Sequence, residues 1–130
     1  MDRKTKLLFL ILVLVQGLHS IEEYVGKLWE SFPPARALCS LVSDDHVSGF
    51  LVINISLFVV GMLCWAIPVR REYRSANSFV WLWTVLELIN GIGHPIWTFM
   101  QGVYTPGIIT APILLLLAIN LLVKQLNLKT

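Results

Sequence analysis

Two short stretches of this sequence bring together residue types that bind metals or transfer protons. The first contains a histidine and two carboxylates, His19, Glu22 and Glu23, and the second a carboxylate, an amide and a histidine, Glu87, Asn90 and His94. Imidazole nitrogens and carboxylate oxygens form mixed ligand sets that suit zinc or non-haem iron, and the same side chains act as general acids and bases without a metal. We therefore predict that these six residues form a catalytic site. The candidate metal ligands among them are His19, Glu23, Glu87 and His94.

The spacing of both sets fits a helix, because residues three or four positions apart share one helical face. His19 and Glu23 are therefore neighbours, with Glu22 also within reach of the same imidazole. Gln16 and Lys27 extend this face in the two directions. The second set has the same spacing of three and four. The second set is therefore predicted to lie on one helical face, whereas Glu22 and Glu23 are adjacent and cannot both point the same way; Glu23 shares the face of His19 better.

The chain is far more apolar than an ordinary soluble domain. Of its 130 residues 56% are hydrophobic, and the mean hydropathy is +0.73, whereas about 45 to 50% of a globular sequence is apolar even when glycine is counted. Four apolar segments are long enough to span a bilayer, at roughly 17 to 25 residues each. They cover residues 6–27, 48–69, 78–101 and 105–124. The predicted fold is all-α, a single domain over residues 1–130 that forms a polytopic membrane four-helix bundle.

Basic residues divide unevenly between the predicted loops. Eight of the ten Lys and Arg residues lie on one side of the four segments: Arg3, Lys4, Lys6, Arg70, Arg71, Arg74, Lys124 and Lys129. Because Lys and Arg accumulate on the cytoplasmic face, we predict an integral membrane protein with both termini cytoplasmic. The net charge of +2 is too small to indicate nucleic acid binding.

The two polar sets fall at similar depths in the predicted membrane. With a rise of about 1.5 Å per residue, His19 lies roughly 18 Å and His94 roughly 24 Å from the cytoplasmic end of its span. Asn54 and Thr110, on the other two spans, lie in the same outer half, and we interpret both as interhelical hydrogen-bonding residues. A charged group at such a depth costs roughly 2.5 to 3.5 kcal/mol on insertion. We therefore expect the histidines and glutamates to face the protein interior.

The first segment also has features of a secretory signal, namely a basic start, an apolar run and small residues at Gly17 and Ser20. Cleavage there would remove His19 or leave it beside the new terminus. The helical periodicity continues beyond Ser20, through Tyr24 and Leu28. This continuation favours a retained membrane anchor.

Two other local features have alternative interpretations. Asp44, Asp45 and His46 could ligate a metal, but their position just before the second span favours helix capping. Cys39 and Cys64 lie at different predicted membrane levels, which favours structural roles without a disulfide.

The motifs resemble those of a known family. His19-Ser-Ile-Glu-Glu23 matches an H-x-x-E-E pattern. Asn90-Gly-Ile-Gly-His94 and Tyr104-Thr-Pro-Gly107 then look like further motifs of the same family in the same order. The chain is thus similar, along nearly its whole length, to the HXXEE motif family of small membrane proteins with four predicted spans. The resemblance implies this topology and no established activity.

The sequence favours an intramembrane enzyme that acts on a membrane lipid or lipophilic small molecule, with bound Zn or Fe activating water or polarising the substrate. One alternative is a metal-free acid/base isomerase or hydrolase using the same histidines and glutamates. Another is a non-catalytic proton-linked carrier or small-ligand binding protein. A carrier needs a polar path to both faces, whereas aliphatic residues dominate the predicted cytoplasmic half.

Overall fold

The chain folds into helices. A computed structural model describes residues 1–127, and within them there is no strand. The elements are α1 (Arg3–Val25), α2 (Leu28–Ser31), α3 (Pro33–Val42), α4 (His46–Cys64), a π-helical turn (Trp65–Val69), α5 (Ala76–Gln101) and α6 (Ala111–Asn127). The all-α prediction is confirmed. Lys129, one of the basic residues used to predict orientation, lies outside the described residues.

The four long helices overlap the four apolar segments identified in the sequence. Within residues 1–127, two segments are long and apolar enough to cross a membrane by length and composition: Arg3–Val25 and His46–Val69. α6 is apolar but shorter, and it begins at Ala111 rather than at position 105. The difference arises because the turn around Gly107 takes up the intervening residues.

α1 ends earlier than its apolar periodicity predicts. The helix stops at Val25, and Lys27 adopts a left-handed φ of 51° before α2 begins. The α5–α6 loop packs tightly at this point, since a methyl group on Gly26 would lie 2.6 Å from Pro106 Cγ. Lys27 therefore does not continue the helical face of His19 and Glu23, and that prediction is wrong.

Acidic residues cap two of the long helices. Asp2 accepts a hydrogen bond of 2.8 Å from a backbone N–H in the first turn of α1. Asp45 accepts one of 3.1 Å from Ser48 N at the start of α4. Both bonds satisfy donors that a helix start leaves free. The capping interpretation of Asp45 is confirmed, and the neighbouring His46 has its Nε2 3.0 Å from Ser40 Oγ.

The apolar core lies in the half of the molecule that holds the N-terminal part of α1 and the C-terminal part of α6. Its buried members include Phe9, Leu12, Val13, Cys64, Val80, Trp83, Leu114, Ala118 and Leu121. α5 and α6 approach closely at Gly91, where an added methyl group would lie 2.7 Å from Leu115 Cβ. Cys39 and Cys64 are both free and buried. A second, smaller apolar cluster consists of Leu28, Trp29, Cys39 and Phe50.

Candidate functional site

His19, Glu23 and His94 meet between α1 and α5. Glu23 Oε1 lies 3.3 Å from His19 Nε2 and 3.1 Å from His94 Nε2. The two imidazole rings are nearly perpendicular, with centroids 4.6 Å apart. His19 is fully buried, while Glu23 and His94 are 7% and 8% exposed. One carboxylate oxygen therefore faces two imidazole nitrogens inside the protein, and the spacing of four residues along α1 places two of the three groups.

The loop between α5 and α6 closes over the two imidazoles at Gly107. Its φ of 97° lies in the left-handed region that favours glycine. A methyl group on this residue would lie 2.6 Å from His94 Nδ1 and 2.8 Å from His19 Cε1. The site thus requires glycine here for both backbone shape and space. The sequence indicated a tight turn at this point, but nothing local to the turn shows that it covers the histidines.

Glu22 points away from this cluster, toward the residues that precede α6. Its carboxylate accepts hydrogen bonds from the backbone N–H groups of Ile109 and Thr110, both at 3.0 Å. It also accepts from Thr110 Oγ1 at 2.5 Å and from the Tyr104 hydroxyl at 3.1 Å. Adjacent residues on a helix point roughly 100° apart, so Glu22 and Glu23 serve different neighbours. Glu22 anchors the loop and lies outside the cluster.

Tyr104 is the exposed end of this anchoring network. Partial burial raises the pKa of its phenol above the usual value, and so do the hydrogen bond to Glu22 and the charge of that carboxylate. The phenol therefore stays protonated, which is the form that donates a hydrogen bond to Glu22.

Thr110 connects Glu22 to His19. Its Oγ1 lies 2.7 Å from His19 Nδ1. A hydroxyl has one hydrogen, and the Glu22 carboxylate, which has none to give, accepts it. Nδ1 of His19 therefore carries the hydrogen in its bond with Thr110. The structure places Thr110 in the loop before α6, so it joins this loop to α1, and it also fixes which ring nitrogen of His19 carries the hydrogen.

This assignment leaves Nε2 of His19 without a hydrogen, 3.3 Å from Glu23 Oε1. Within residues 1–127, His19 Nε2 has no hydrogen-bond partner, and the same is true of His94 Nδ1. Buried polar atoms are rarely left unpaired in folded proteins. An additional positive species, either a proton or a metal ion, would satisfy His19 Nε2 and Glu23 together.

Glu87 and Asn90 lie nearby on α5 but outside the three-residue cluster. Glu87 is 1% exposed and accepts from Asn90 Nδ2 at 3.2 Å. Gln16 on α1 fits best with its amide nitrogen 2.8 Å from both carboxylate oxygens of Glu87. The structure does not bring Glu87, predicted as a fourth metal ligand, into the three-residue cluster, and its oxygens accept from two amides instead. Gln16 was assigned only to the helical face and not to the site.

Asn54, also interpreted from the sequence as an interhelical residue, accepts from Ser20 Oγ at 2.8 Å and joins α4 to α1. Its own amide nitrogen donates to the carbonyl of Phe50 at 3.0 Å. These bonds give Asn54 a place in the packing of two helices and none in the cluster.

The cluster could hold a metal ion. Within the described residues, the potential ligand atoms of His19, Glu23 and His94 all lie within 4.8 Å of one another. Two histidines and one glutamate form the ligand set of several catalytic zinc sites, and two histidines with one carboxylate that of many non-haem iron sites. Tetrahedral zinc ligands at about 2.0 to 2.1 Å from the ion lie roughly 3.3 to 3.4 Å apart. The separations of Glu23 Oε1 from the two imidazole nitrogens, 3.3 and 3.1 Å, are near this value, and they are also the distances of a direct contact without an ion.

Comparison with known proteins gives a family without an activity. The model of the HXXEE family, described as a protein of unknown function with HXXEE motif, matches residues 8–122. This range contains His19, Glu23, His94 and the loop that covers them. No curated protein and no solved structure matches the chain significantly.

Proposed function

This chain belongs to the HXXEE motif family, whose description assigns no function, and we propose from its own site that it is an integral membrane enzyme. It acts on a lipid or lipophilic small molecule through a Zn or Fe ion held by His19, Glu23 and His94. The observation that carries the proposal is the unpartnered Nε2 of His19.

The environment of His19 Nε2 favours a cation. This nitrogen lies 3.3 Å from a carboxylate oxygen in a fully buried position, and an unsatisfied buried polar group costs roughly 1 to 3 kcal/mol. A divalent ion between the two imidazoles and Glu23 would bind all three lone pairs. Metal-bound imidazoles usually donate their other N–H to a neighbouring acceptor, and the Thr110–Glu22 pair supplies that acceptor for His19.

Three protein ligands would leave a position on the metal for water or substrate. When bound, such an ion polarises a carbonyl or phosphoryl oxygen, or lowers the pKa of its water. Asn90 lies one helical turn from His94, and we assign to it the orientation of the substrate. Glu87, which Asn90 contacts at 3.2 Å, is assigned the transfer of a proton.

The distribution of apolar surface supports a membrane location. Large apolar side chains are exposed on the outward faces of the long helices, among them Leu14, Leu18, Ile55, Ile89, Phe99 and Leu116. The buried positions include polar ones: Gln16, His19, Glu23, Thr84, Glu87 and Gln125. A soluble domain seldom exposes large contiguous apolar patches. We therefore propose a membrane four-helix bundle of α1, α4, α5 and α6, with both termini cytoplasmic as the basic residues indicate.

A proton in place of the metal gives a second candidate function. His19 with both nitrogens protonated would donate from Nε2 to Glu23 and pair a positive with a negative charge. Glu23 Oε1 also lies 3.1 Å from His94 Nε2. His94 is therefore a second acceptor for the proton, reached through Glu23. Such a pair could act as the acid and base of an isomerase or hydrolase for lipophilic substrates.

Metal analysis of detergent-purified protein distinguishes the two. We expect about one zinc or iron per chain, lost in His94→Ala because that change removes one of three ligands. The matched control is His46→Ala, since His46 contacts Ser40 away from the cluster and should not affect metal content. A chelator should lower the melting temperature of the wild type and leave that of His94→Ala unchanged.

The metal hypothesis would be contradicted if the wild type is purified without metal, takes up neither zinc nor iron on reconstitution, and has a melting temperature that chelator does not change. That result would favour the acid/base enzyme.

A further inference from the structure

A small cleft lies directly beside the metal-ligand cluster, along α5. It has a volume of about 140 Å³. Its lining consists of Phe32, Ile89, Asn90, Gly93, His94 and Trp97. An apolar cavity of about 150 Å³ holds a molecule the size of benzene. The cleft therefore has room for the end of a lipid and not for a whole one.

The walls of the cleft divide into an apolar and a polar part. The rings of Phe32 and Trp97 lie against each other with centroids 4.5 Å apart, and Ile89 is 63% exposed beside them. The polar part consists of His94 and Asn90, one turn apart on α5. A side-chain amide has two N–H groups, and the bond to Glu87 occupies only one of those of Asn90. The other is available for a ligand that brings a hydrogen-bond acceptor.

We propose that this cleft is the substrate-binding site and that it takes the carbonyl end of a lipophilic ester or amide. Asn90 donates a hydrogen bond to the carbonyl oxygen, and Phe32, Ile89 and Trp97 contact the first methylenes of the adjoining chain. The substrate enters sideways from the bilayer, because Ile89 and Gly93 are both exposed. This proposal rests on the proposed function, since the metal ligand His94 is part of the cleft.

Gly93 allows the cleft to be filled without disturbing the core. A methyl group on this residue would have no atom within 4 Å. Glycine inside a helix is unfavourable relative to larger residues, so Gly93→Leu is expected to fold at least as well as the wild type. Its side chain would occupy the space of the substrate chain. Ile92→Phe is the matched control, because it adds bulk to the neighbouring exposed position, which does not line the cleft.

Two hydroxamic acids test the proposal, because both chelate a metal and carry a carbonyl but only one has a chain. Acetohydroxamic acid and decanohydroxamic acid are titrated calorimetrically into zinc-loaded wild type, Gly93→Leu and Ile92→Phe in one detergent. Each buried methylene strengthens binding about four-fold. Gly93→Leu should therefore weaken decanohydroxamic acid by roughly ten-fold or more and leave acetohydroxamic acid unchanged. Ile92→Phe should change neither.

Equal affinity of decanohydroxamic acid for wild type and Gly93→Leu would overturn the cleft while leaving the metal site standing. If the protein takes up neither zinc nor iron, the proposed metal function fails and decanamide replaces the hydroxamic acids as probe. Weaker binding of decanamide to Gly93→Leu than to wild type then supports the cleft by itself, and equal binding overturns it.

Discussion

Replacing Gly107 with alanine tests whether the α5–α6 loop fixes the two imidazoles. The added methyl group would lie 2.6 Å from His94 Nδ1 and 2.8 Å from His19 Cε1. Non-bonded carbon atoms are at their optimum at about 3.5 to 4.0 Å, so both rings would have to move. The backbone φ of 97° is a further obstacle to any residue with a side chain.

The magnitude follows from two separate costs. A non-glycine residue in a sparsely populated backbone region costs about 1 to 3 kcal/mol, and an extra methyl group in a packed interior costs another 1 to 3, approximately. Gly102 provides the matched control, because it has a φ of 67° but no atom within 4 Å of an added methyl group. Gly102→Ala should show only the backbone cost, about 1 to 2 kcal/mol. The difference between the two variants measures the contact with the rings.

The assay is chemical unfolding in detergent, followed by circular dichroism, with metal content measured on the same samples. Gly107→Ala should be less stable than Gly102→Ala by about 1 to 3 kcal/mol and should lose any metal that the wild type holds. Equal stability and equal metal content in the two variants would refute the placement of Gly107 against the histidines.

Two further predictions concern hydrogen bonds. Thr110→Val leaves the buried Nδ1–H of His19 without an acceptor and should lower the free energy of unfolding by about 1 to 3 kcal/mol. Thr110→Ser keeps the hydroxyl and should recover most of this loss in the same denaturation experiment. Equal stability of the two variants would contradict the bridge from His19 through Thr110 to Glu22. Hydrogen bonds from the Ser48 hydroxyl and backbone N–H hold the pKa of Asp45 below its usual value. The stability from this cap is therefore present above the unfolded pKa of about 3.9 and is lost as the pH falls through the lower folded value. Between about pH 6 and pH 3 the melting temperature should fall more for wild type than for Asp45→Asn, whose amide caps without titrating; parallel curves would argue against the cap.

The helices themselves could be predicted from the sequence because their signal is local. Apolar runs of span length placed three of the long helices to within a few residues, as the overlap of residues 78–101 with Ala76–Gln101 illustrates, whereas α6 begins six residues later than predicted. The spacing of His19 and Glu23 likewise implies a contact wherever the chain is helical. The prediction that His19 and His94 face each other needed one more inference, namely that the two residues lie at similar depths in their helices.

The rest of the site could not be predicted, because it depends on the path of a loop. Spacing alone does not say that Glu22 faces the residues before α6 while Glu23 faces His94. Nor does the turn at Gly107 carry any mark of the rings beneath it. The expectation for Lys27 failed for the same reason, since the tight contact of Gly26 with Pro106 coincides with the end of α1. Contacts between segments far apart in sequence decided each of these cases.

The close approach of α5 and α6 at Gly91 has a consequence for the order of assembly. These helices are neighbours in sequence, so the contacts of their hairpin are local. Docking of α1 on this hairpin closes a much longer loop of chain, and closing a longer loop costs more conformational entropy. Until then, His19 and Glu23, made early in synthesis, have no partner on α5. A chain whose α5 is misplaced would keep these two ionisable groups in an apolar setting without the contact of Glu23 with His94, a costly state. The cluster therefore penalises incomplete assembly, and this penalty exists before any substrate is bound.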